Sequence, residues 1–132
     1  MIVLDASVVL DLLLRLPPHF ERIARRIAAA APGLAAPHLL DAEVGQVLRR
    51  FVRSGEVDPG RAAGALDDLG ALPLTRYPHT PLVRRAFELR DNVTVYDGIY
   101  LALAEAVRAP LLTRDAALSR VPGCSATVEV IR

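Results

Sequence analysis

Short apolar runs alternate with longer helical stretches along this chain. The short runs are rich in β-branched and aliphatic residues, which predicts buried strands. They cover residues 2–4, 34–36, 72–77, 111–113 and 127–131. Strands separated by helices favour a parallel sheet covered on both faces, so the predicted fold is a three-layer α/β/α sandwich.

The stretches between these strands carry helical periodicity and helix boundary residues. Ser7 is a predicted cap for the first helix, which stops before Pro17-Pro18, and Pro32-Gly33 ends the second. The predicted helices cover residues 8–16, 19–30, 39–52, 59–70, 81–90, 95–107 and 116–120. The segment 95–107 is almost entirely apolar, which predicts a buried, central position.

The composition is that of a soluble globular protein. At 132 residues the chain is long enough for one domain with a real core, expected over residues 1–132. The formal net charge is +1, so affinity for nucleic acid has to come from a local patch. A lone Cys124 excludes a disulfide framework. No apolar run reaches the length of a membrane span, so no membrane partner and a cytoplasmic location are expected.

All 16 basic residues are arginines, and the absence of lysine excludes several classes of protein. Phosphate sites of the P-loop type need a lysine after a glycine-rich loop. Receiver domains and the phosphatases that phosphorylate an aspartate after the first strand rely on a lysine beside that aspartate. All three classes are therefore excluded, and no dinucleotide-binding fingerprint is present.

Four acidic residues stand where a predicted strand gives way to a helix. They are Asp5 in VLDAS, Glu43 in LLDAEV, Asp97 in VYDGIY and Asp115 in LTRDAA. In an alternating β/α protein such points gather at one edge of the sheet, where ligands usually bind. We therefore expect the four carboxylates to converge.

Each acid also has an ordinary explanation as a helix cap or as a charge near a helix N-terminus. Asp97 follows Thr94 at the spacing of a capping box, and Asp41 is interpreted as a helix-start charge. Glu43 and Asp97 fit this explanation less well. Both share a helix face with residues expected to be buried, where an ionised carboxylate needs a partner.

A cluster of carboxylates requires a cation or bound protons. Like charges about 4 Å apart repel by roughly 4 kcal/mol at an effective dielectric of about 20. Oxygen ligands alone favour magnesium, with manganese as the alternative, over zinc. Such a site suits phosphodiester hydrolysis. The hydroxyls of Ser7 and Thr113 lie beside two of the acids and could bond water or phosphate, or could simply cap helices.

Other polar residues carry weaker signals. His19, His38 and His79 lack cysteine partners or paired spacing, so we interpret them as surface or satisfied residues. Tyr96 and Tyr100 are interpreted as helix packing. Six arginines could hold phosphates, although an exposed helix face explains most of them: Arg49, Arg50, Arg53, Arg84, Arg85 and Arg114.

The segments MIVLDAS, PHLLDAEV, VYDGIYLALAEA and LLTRD together resemble the PIN-domain ribonucleases, and in particular the bacterial toxins of VapC type. The similarity extends from residue 1 to the C-terminus. It implies a parallel five-stranded sheet flanked by helices. It also implies a magnesium- or manganese-dependent endoribonuclease that cuts single-stranded or structured RNA. Gly98 stands where the family commonly has alanine, and this smaller residue is expected to fit.

The resemblance also implies site residues and partners. By position, Asp5, Glu43, Asp97 and Asp115 match the acidic residues of the family, and Thr113 matches the hydroxyl before the last acid. These five are the implied catalytic residues, with Asp5 and Asp97 as implied metal ligands. The implied partners are an RNA substrate, a second copy in a homodimer and a cognate VapB-like antitoxin. The chain is thus expected to be the toxin of a type II toxin–antitoxin pair.

Two alternatives stay open. A housekeeping RNA-processing nuclease would have the same fold and site but no antitoxin, and hence no small antitoxin gene immediately upstream. A non-catalytic RNA- or protein-binding module would keep the acids as helix caps. That module predicts no stabilisation by a divalent metal, because only a ligand that binds the native state raises stability.

Overall fold

A five-stranded parallel sheet forms the centre of the computed structural model, which describes residues 1–30 and 33–132. The strands are β1 (Ile2–Leu4), β2 (Leu34–Pro37), β3 (Leu74–Tyr77), β4 (Leu111–Thr113) and β5 (Val128–Val130). Their order across the sheet is β3-β2-β1-β4-β5, and every neighbouring pair is parallel. The predicted α/β/α sandwich is confirmed.

Six α-helices and two 3₁₀ helices connect the strands in the described part of the chain. They are α1 (Ala6–Leu14), α2 (Phe20–Ala29), α3 (Leu39–Arg53), α4 (Pro59–Ala71), α5 (Val83–Glu88) and α6 (Val95–Val107), with 3₁₀ helices at Thr80–Leu82 and Ala116–Arg120. The helix predicted over residues 81–90 is divided, because a 3₁₀ turn containing Pro81 precedes α5. Pro32, the predicted end of the second helix, lies outside the described residues.

The first helix begins differently from the prediction. Asp5 is the N-cap of α1, and its side chain accepts a hydrogen bond from the backbone N–H of Val8. The prediction that Ser7 caps this helix is wrong, because the helix already begins at Ala6 and Ser7 lies in its first turn. Thr94 caps α6 by accepting from the backbone N–H of Asp97, at the spacing that the sequence predicted.

The core lies on both faces of the inner strands β2, β1 and β4. The side chains of β1 and the first two of β4 are completely buried, as expected for parallel strands covered by helices on both sides. Most of α6 is buried too, from Gly98 to Ala104. Within the described residues, no helix is long and apolar enough to cross a membrane.

The order of the strands creates a crevice between β1 and β4. The chain builds outward from β1 through β2 to β3, then returns to place β4 on the other side of β1. Ligands bind at such a switch point, beyond the carboxyl ends of the strands. The register pairs Leu4 with Leu112, so Asp5 and Thr113 emerge side by side at this edge.

Candidate active site

Asp5 is the most buried acid of the site, with only 8% of its surface exposed. Its Oδ1 accepts hydrogen bonds from the Ser7 hydroxyl at 2.6 Å and from the Val8 backbone N–H at 3.2 Å. Its Oδ2 accepts a short bond from the Thr113 hydroxyl across the β1–β4 junction. Burial raises the pKa of Asp5, whereas the hydroxyls of Ser7 and Thr113 favour its charged form.

The end of β4 brings Asp115 to the same edge. Thr113 is completely buried, and its Oγ1 accepts a hydrogen bond from the backbone N–H of Asp115 at 3.0 Å. Asp115 caps the following 3₁₀ helix, since its Oδ1 accepts from the backbone N–H of Ala117 at 2.9 Å. Thr113 therefore links the two acids, accepting from one and donating to the other.

Glu43 is held by a tyrosine that sequence reasoning assigned to packing. The Tyr100 hydroxyl on α6 donates to Oε1 of Glu43 on α3 at 2.6 Å, and Tyr100 is only 2% exposed. Burial raises the pKa of Glu43, the charges of Asp97 and Asp5 raise it further, and the bond from Tyr100 lowers it. Tyr100 thus orients Glu43 and favours its charged form.

Asp97 completes the convergence from the first turn of α6, where it is partly buried. Burial raises the pKa of Asp97, and the charges of Asp115 and Asp5 raise it further. The four acids predicted from sequence therefore interact with one another, although their positions in the chain are far apart. The structure brings all of them, together with Thr113, to the edge beside β1 and β4.

The acids do not form a closed ligand shell. Across residues 1–30 and 33–132, no three His, Cys, Asp or Glu side chains are arranged as a metal-holding group. The chemistry of the donors nevertheless fits a hard divalent cation, since they are carboxylates. Burial is the main cause of the raised pKa values of Asp5, Glu43 and Asp97, and neighbouring acids raise those of Glu43 and Asp97 further. A bound cation would favour the charged forms.

Several weaker interpretations are settled by the structure. Tyr96 is 62% exposed, so its prediction as a packing residue is wrong. His19 and His79 are half-buried, and the Nδ1 of each has no hydrogen bond, so neither ring is fully satisfied. Asp41 lies in the first turn of α3, as predicted, and it also pairs with Arg76 at 2.7 Å.

The six arginines also separate into groups. Four of them lie on exposed helix faces: Arg49, Arg50, Arg53 and Arg84. Arg85 is occupied by Glu105, with Nε 2.8 Å from Oε1. Arg114 pairs with Asp11 beside the acidic edge. No sequence signal pointed to Asp11, because an acid within an apolar helix resembles a tolerated surface charge until the packing is known.

The model of the PIN domain family matches residues 2–123, so this chain belongs to the PIN-domain family.

Comparisons with individual proteins narrow this assignment to the VapC ribonucleases. The chain is 50% identical over 98 residues to Ribonuclease VapC1 of Mycobacterium tuberculosis (strain CDC 1551 / Oshkosh), which covers 74% of each chain. The crystal structure of M. tuberculosis VapC20, a sarcin-ricin loop cleaving toxin, shares the fold over 100% of both chains with a TM-score of 0.75 at 17% identity. A toxin–antitoxin complex from Klebsiella pneumoniae matches 98% of this chain and 97% of that chain with a TM-score of 0.64 at 19% identity.

Proposed function

We propose that this protein is a metal-dependent endoribonuclease that hydrolyses RNA phosphodiester bonds and acts as the toxin of a type II toxin–antitoxin pair. The observation that carries the proposal is the mutual charge interaction of Asp5, Glu43 and Asp97 at the switch point of the sheet. Three partly or fully desolvated carboxylates are costly to fold together. A bound cation would explain why these carboxylates converge. The relatives of this protein include proteins named as ribonucleases.

Asp5 and Asp97 are the residues proposed to hold magnesium, with manganese as the alternative. The bound ion would supply charge stabilisation at the scissile phosphate and a more acidic water. Thr113 donates to Oδ2 of Asp5 and fixes the orientation of this carboxylate. Glu43, oriented by Tyr100, and Asp115, held by Thr113, complete the proposed catalytic set.

A cognate VapB-like antitoxin and a second copy of the chain are the proposed protein partners. The support for an antitoxin is the family membership together with the toxin–antitoxin complex that shares this fold. Inducing the chain in a bacterial host should arrest growth, and co-expressing the product of a small upstream gene should restore it. Cleavage of RNA without growth arrest, and with no such gene, would instead favour the housekeeping nuclease.

Divalent metal should stabilise the folded protein. Manganese at about 100 times its Kd is expected to add about 2.7 kcal/mol to the free energy of unfolding, or roughly 10 °C in melting temperature for a domain of this size. Thermal unfolding with titrated manganese measures this. Asp97→Asn should lose the shift, whereas the exposed Asp91→Asn should retain it. An unchanged melting temperature for the unmodified chain would favour the non-catalytic module.

Tyr100→Phe is expected to reduce RNA cleavage roughly tenfold while the fold is retained, because a hydrogen bond to a charged group contributes about 1.5–3 kcal/mol. In the native protein the hydrogen bond from Tyr100 lowers the pKa of Glu43. Removing this bond therefore raises that pKa. The acidic limb of the pH–rate profile should therefore move to higher pH. Tyr77→Phe, which removes a hydroxyl near Met1, is the matched control. An unmoved acidic limb in Tyr100→Phe would remove Glu43 from the catalytic set.

A further inference from the structure

A buried acid lies beside the active site without belonging to it. The buried polar residues in the described part of the chain are Asp5, Asp11 and Thr113. Asp5 and Thr113 form the site, whereas Asp11, in α1, is 2% exposed and shares no hydrogen bond with the catalytic carboxylates, although burial and the charge of Asp5 raise its pKa. Its carboxylate faces Arg114, the residue between Thr113 and Asp115.

Arg114 is anchored at both its backbone and its side chain. Its Nε lies 3.2 Å from Oδ2 of Asp11, and its Nη1 donates to Oδ1 at 3.3 Å. Its backbone N–H donates to the Ser7 hydroxyl at 3.2 Å. The contact through Oδ2 is ionic, because this oxygen accepts no well-directed hydrogen bond. The guanidinium is therefore held mainly by charge.

The position of Arg114 follows from the strand that precedes it. Thr113 donates to Asp5 and the charge of Asp115 acts on Asp97, whereas the side chain of Arg114 reaches Asp11 on α1. Its side chain is still 42% exposed. Within residues 1–30 and 33–132, its Nη2 makes no hydrogen bond. Arg114 therefore offers a free N–H donor close to the end of β4, where the catalytic acids converge.

The ion pair between Asp11 and Arg114 is better explained by ligand binding than by folding stability alone. Burying a carboxylate under an exposed arginine gives little net stabilisation, because desolvation offsets the attraction. The pair does, however, form a dipole whose positive end is partly exposed and is carried by the residue between Thr113 and Asp115. An RNA backbone that approaches this edge is repelled by those acids, and a fixed cation at the rim offsets part of that repulsion.

We propose that Arg114 binds a backbone phosphate adjacent to the scissile one and that Asp11 is the positioning residue that holds its guanidinium there. This inference rests on the proposed RNA cleavage and deepens it. A guanidinium presents planar paired donors that match phosphate oxygens. Since Asp11 draws this guanidinium away from the acids, its phosphate contact adds to RNA binding and not to the chemical step.

The test measures RNA binding as a function of salt. The probe is a fluorescent pool of short single-stranded RNA of random sequence, and the protein carries Asp97→Asn so that the probe stays intact. Adding Arg114→Gln should weaken binding about tenfold and reduce the slope of log affinity against log salt by about 0.7, the value for one phosphate contact on a single strand. Arg22→Gln, an exposed charge loss on α2, should change neither quantity.

Variants of the anchoring pair separate charge from position. Arg114→Lys keeps the charge and Asp11→Asn keeps the arginine, so both should preserve the salt slope while each weakens binding about threefold. The double variant Asp11→Asn, Arg114→Gln should bind RNA no more weakly than Arg114→Gln alone, since the two residues act as a unit. With Asp97 intact, Arg114→Gln should raise KM and leave kcat unchanged.

Two results would overturn the inference. If Arg114→Gln matches Arg22→Gln in affinity and salt slope, Asp11 and Arg114 are only a link between α1 and the end of β4. This outcome leaves the proposed nuclease function intact. If the unmodified chain neither binds nor cleaves the RNA pool, the proposed function fails and this inference fails with it. Arg114 is exposed, so its replacement remains informative even if Asp11→Asn unfolds.

Discussion

Replacing Asp97 by asparagine is expected to lower RNA cleavage about 1,000-fold, equivalent to roughly 4 kcal/mol of transition-state stabilisation. Asparagine keeps the shape of the side chain but removes the negative charge that a divalent cation requires. The backbone bond between Asp97 and Thr94 does not involve the carboxylate, so α6 should keep its cap. Loss of activity with an unchanged far-ultraviolet circular dichroism spectrum is the expected result.

The measurement compares initial cleavage rates on total RNA with magnesium present. Asp91→Asn is the matched control, because it removes an exposed acid six positions earlier in the chain and should retain full activity. Growth arrest on induction should follow the same order, with arrest by the unmodified chain and by Asp91→Asn only. Cleavage by Asp97→Asn at the unmodified rate would refute the proposed mechanism.

Replacing Gly98 by valine is expected to destabilise the fold by about 3 kcal/mol, the upper part of the usual cost of overpacking. An ideal Cβ at this position would lie 3.0 Å from both Cα and Cβ of Ala86, and 3.1 Å from its carbonyl oxygen. Two of these three atoms are backbone atoms of α5, which cannot move without shifting the helix. The expected fall in melting temperature is roughly 10 °C.

Gly64→Val in α4 is the matched control, because a Cβ there meets nothing within 4 Å. That change should be neutral or slightly stabilising, since glycine is a poorer helix former than valine. Gly98→Ala should lie between the two, because its gain in helix propensity opposes its closer contact with Ala86. Equal melting temperatures for Gly98→Val and Gly64→Val would show that α5 adapts.

The close approach of Ala86 confirms the expectation that glycine fits at position 98, and it shows that an alanine there would be crowded.

Most of the fold could be predicted from the chain because its strands and helices have different periods. The limits of β1, β4 and α6 match the prediction at every residue, since each is a continuous apolar segment with a clear stop. The weakest boundary lay near Pro81, where a 3₁₀ turn replaces the first turn of a predicted helix. Local sequence favours both forms, and only the packing of α5 against α6 decides between them.

The acids of the candidate site and the hydroxyl of Thr113 could be predicted, but the contacts of Tyr100 and Asp11 could not. Asp5 stands where β1 gives way to α1, which a sequence pattern reveals. The predicted junction is wrong for Asp97, because α6 follows α5 and not a strand. Tyr100 and Asp11 act through neighbours that are distant in the chain, such as the bond between Tyr100 and Glu43 across 57 positions. Such pairs are set by the crossing of helices over the sheet, and one sequence does not encode that geometry in any local pattern.

The pairing of β1 with β4 has a consequence for synthesis on the ribosome. Asp5 leaves the ribosome early, whereas its partner Thr113 is translated 108 positions later. At about 5–20 residues per second, that interval is roughly 5–20 s. During this time β1 lacks one of its two neighbours, and the proposed catalytic edge has only part of its residues. The proposed catalytic edge is therefore complete only once translation has passed Asp115.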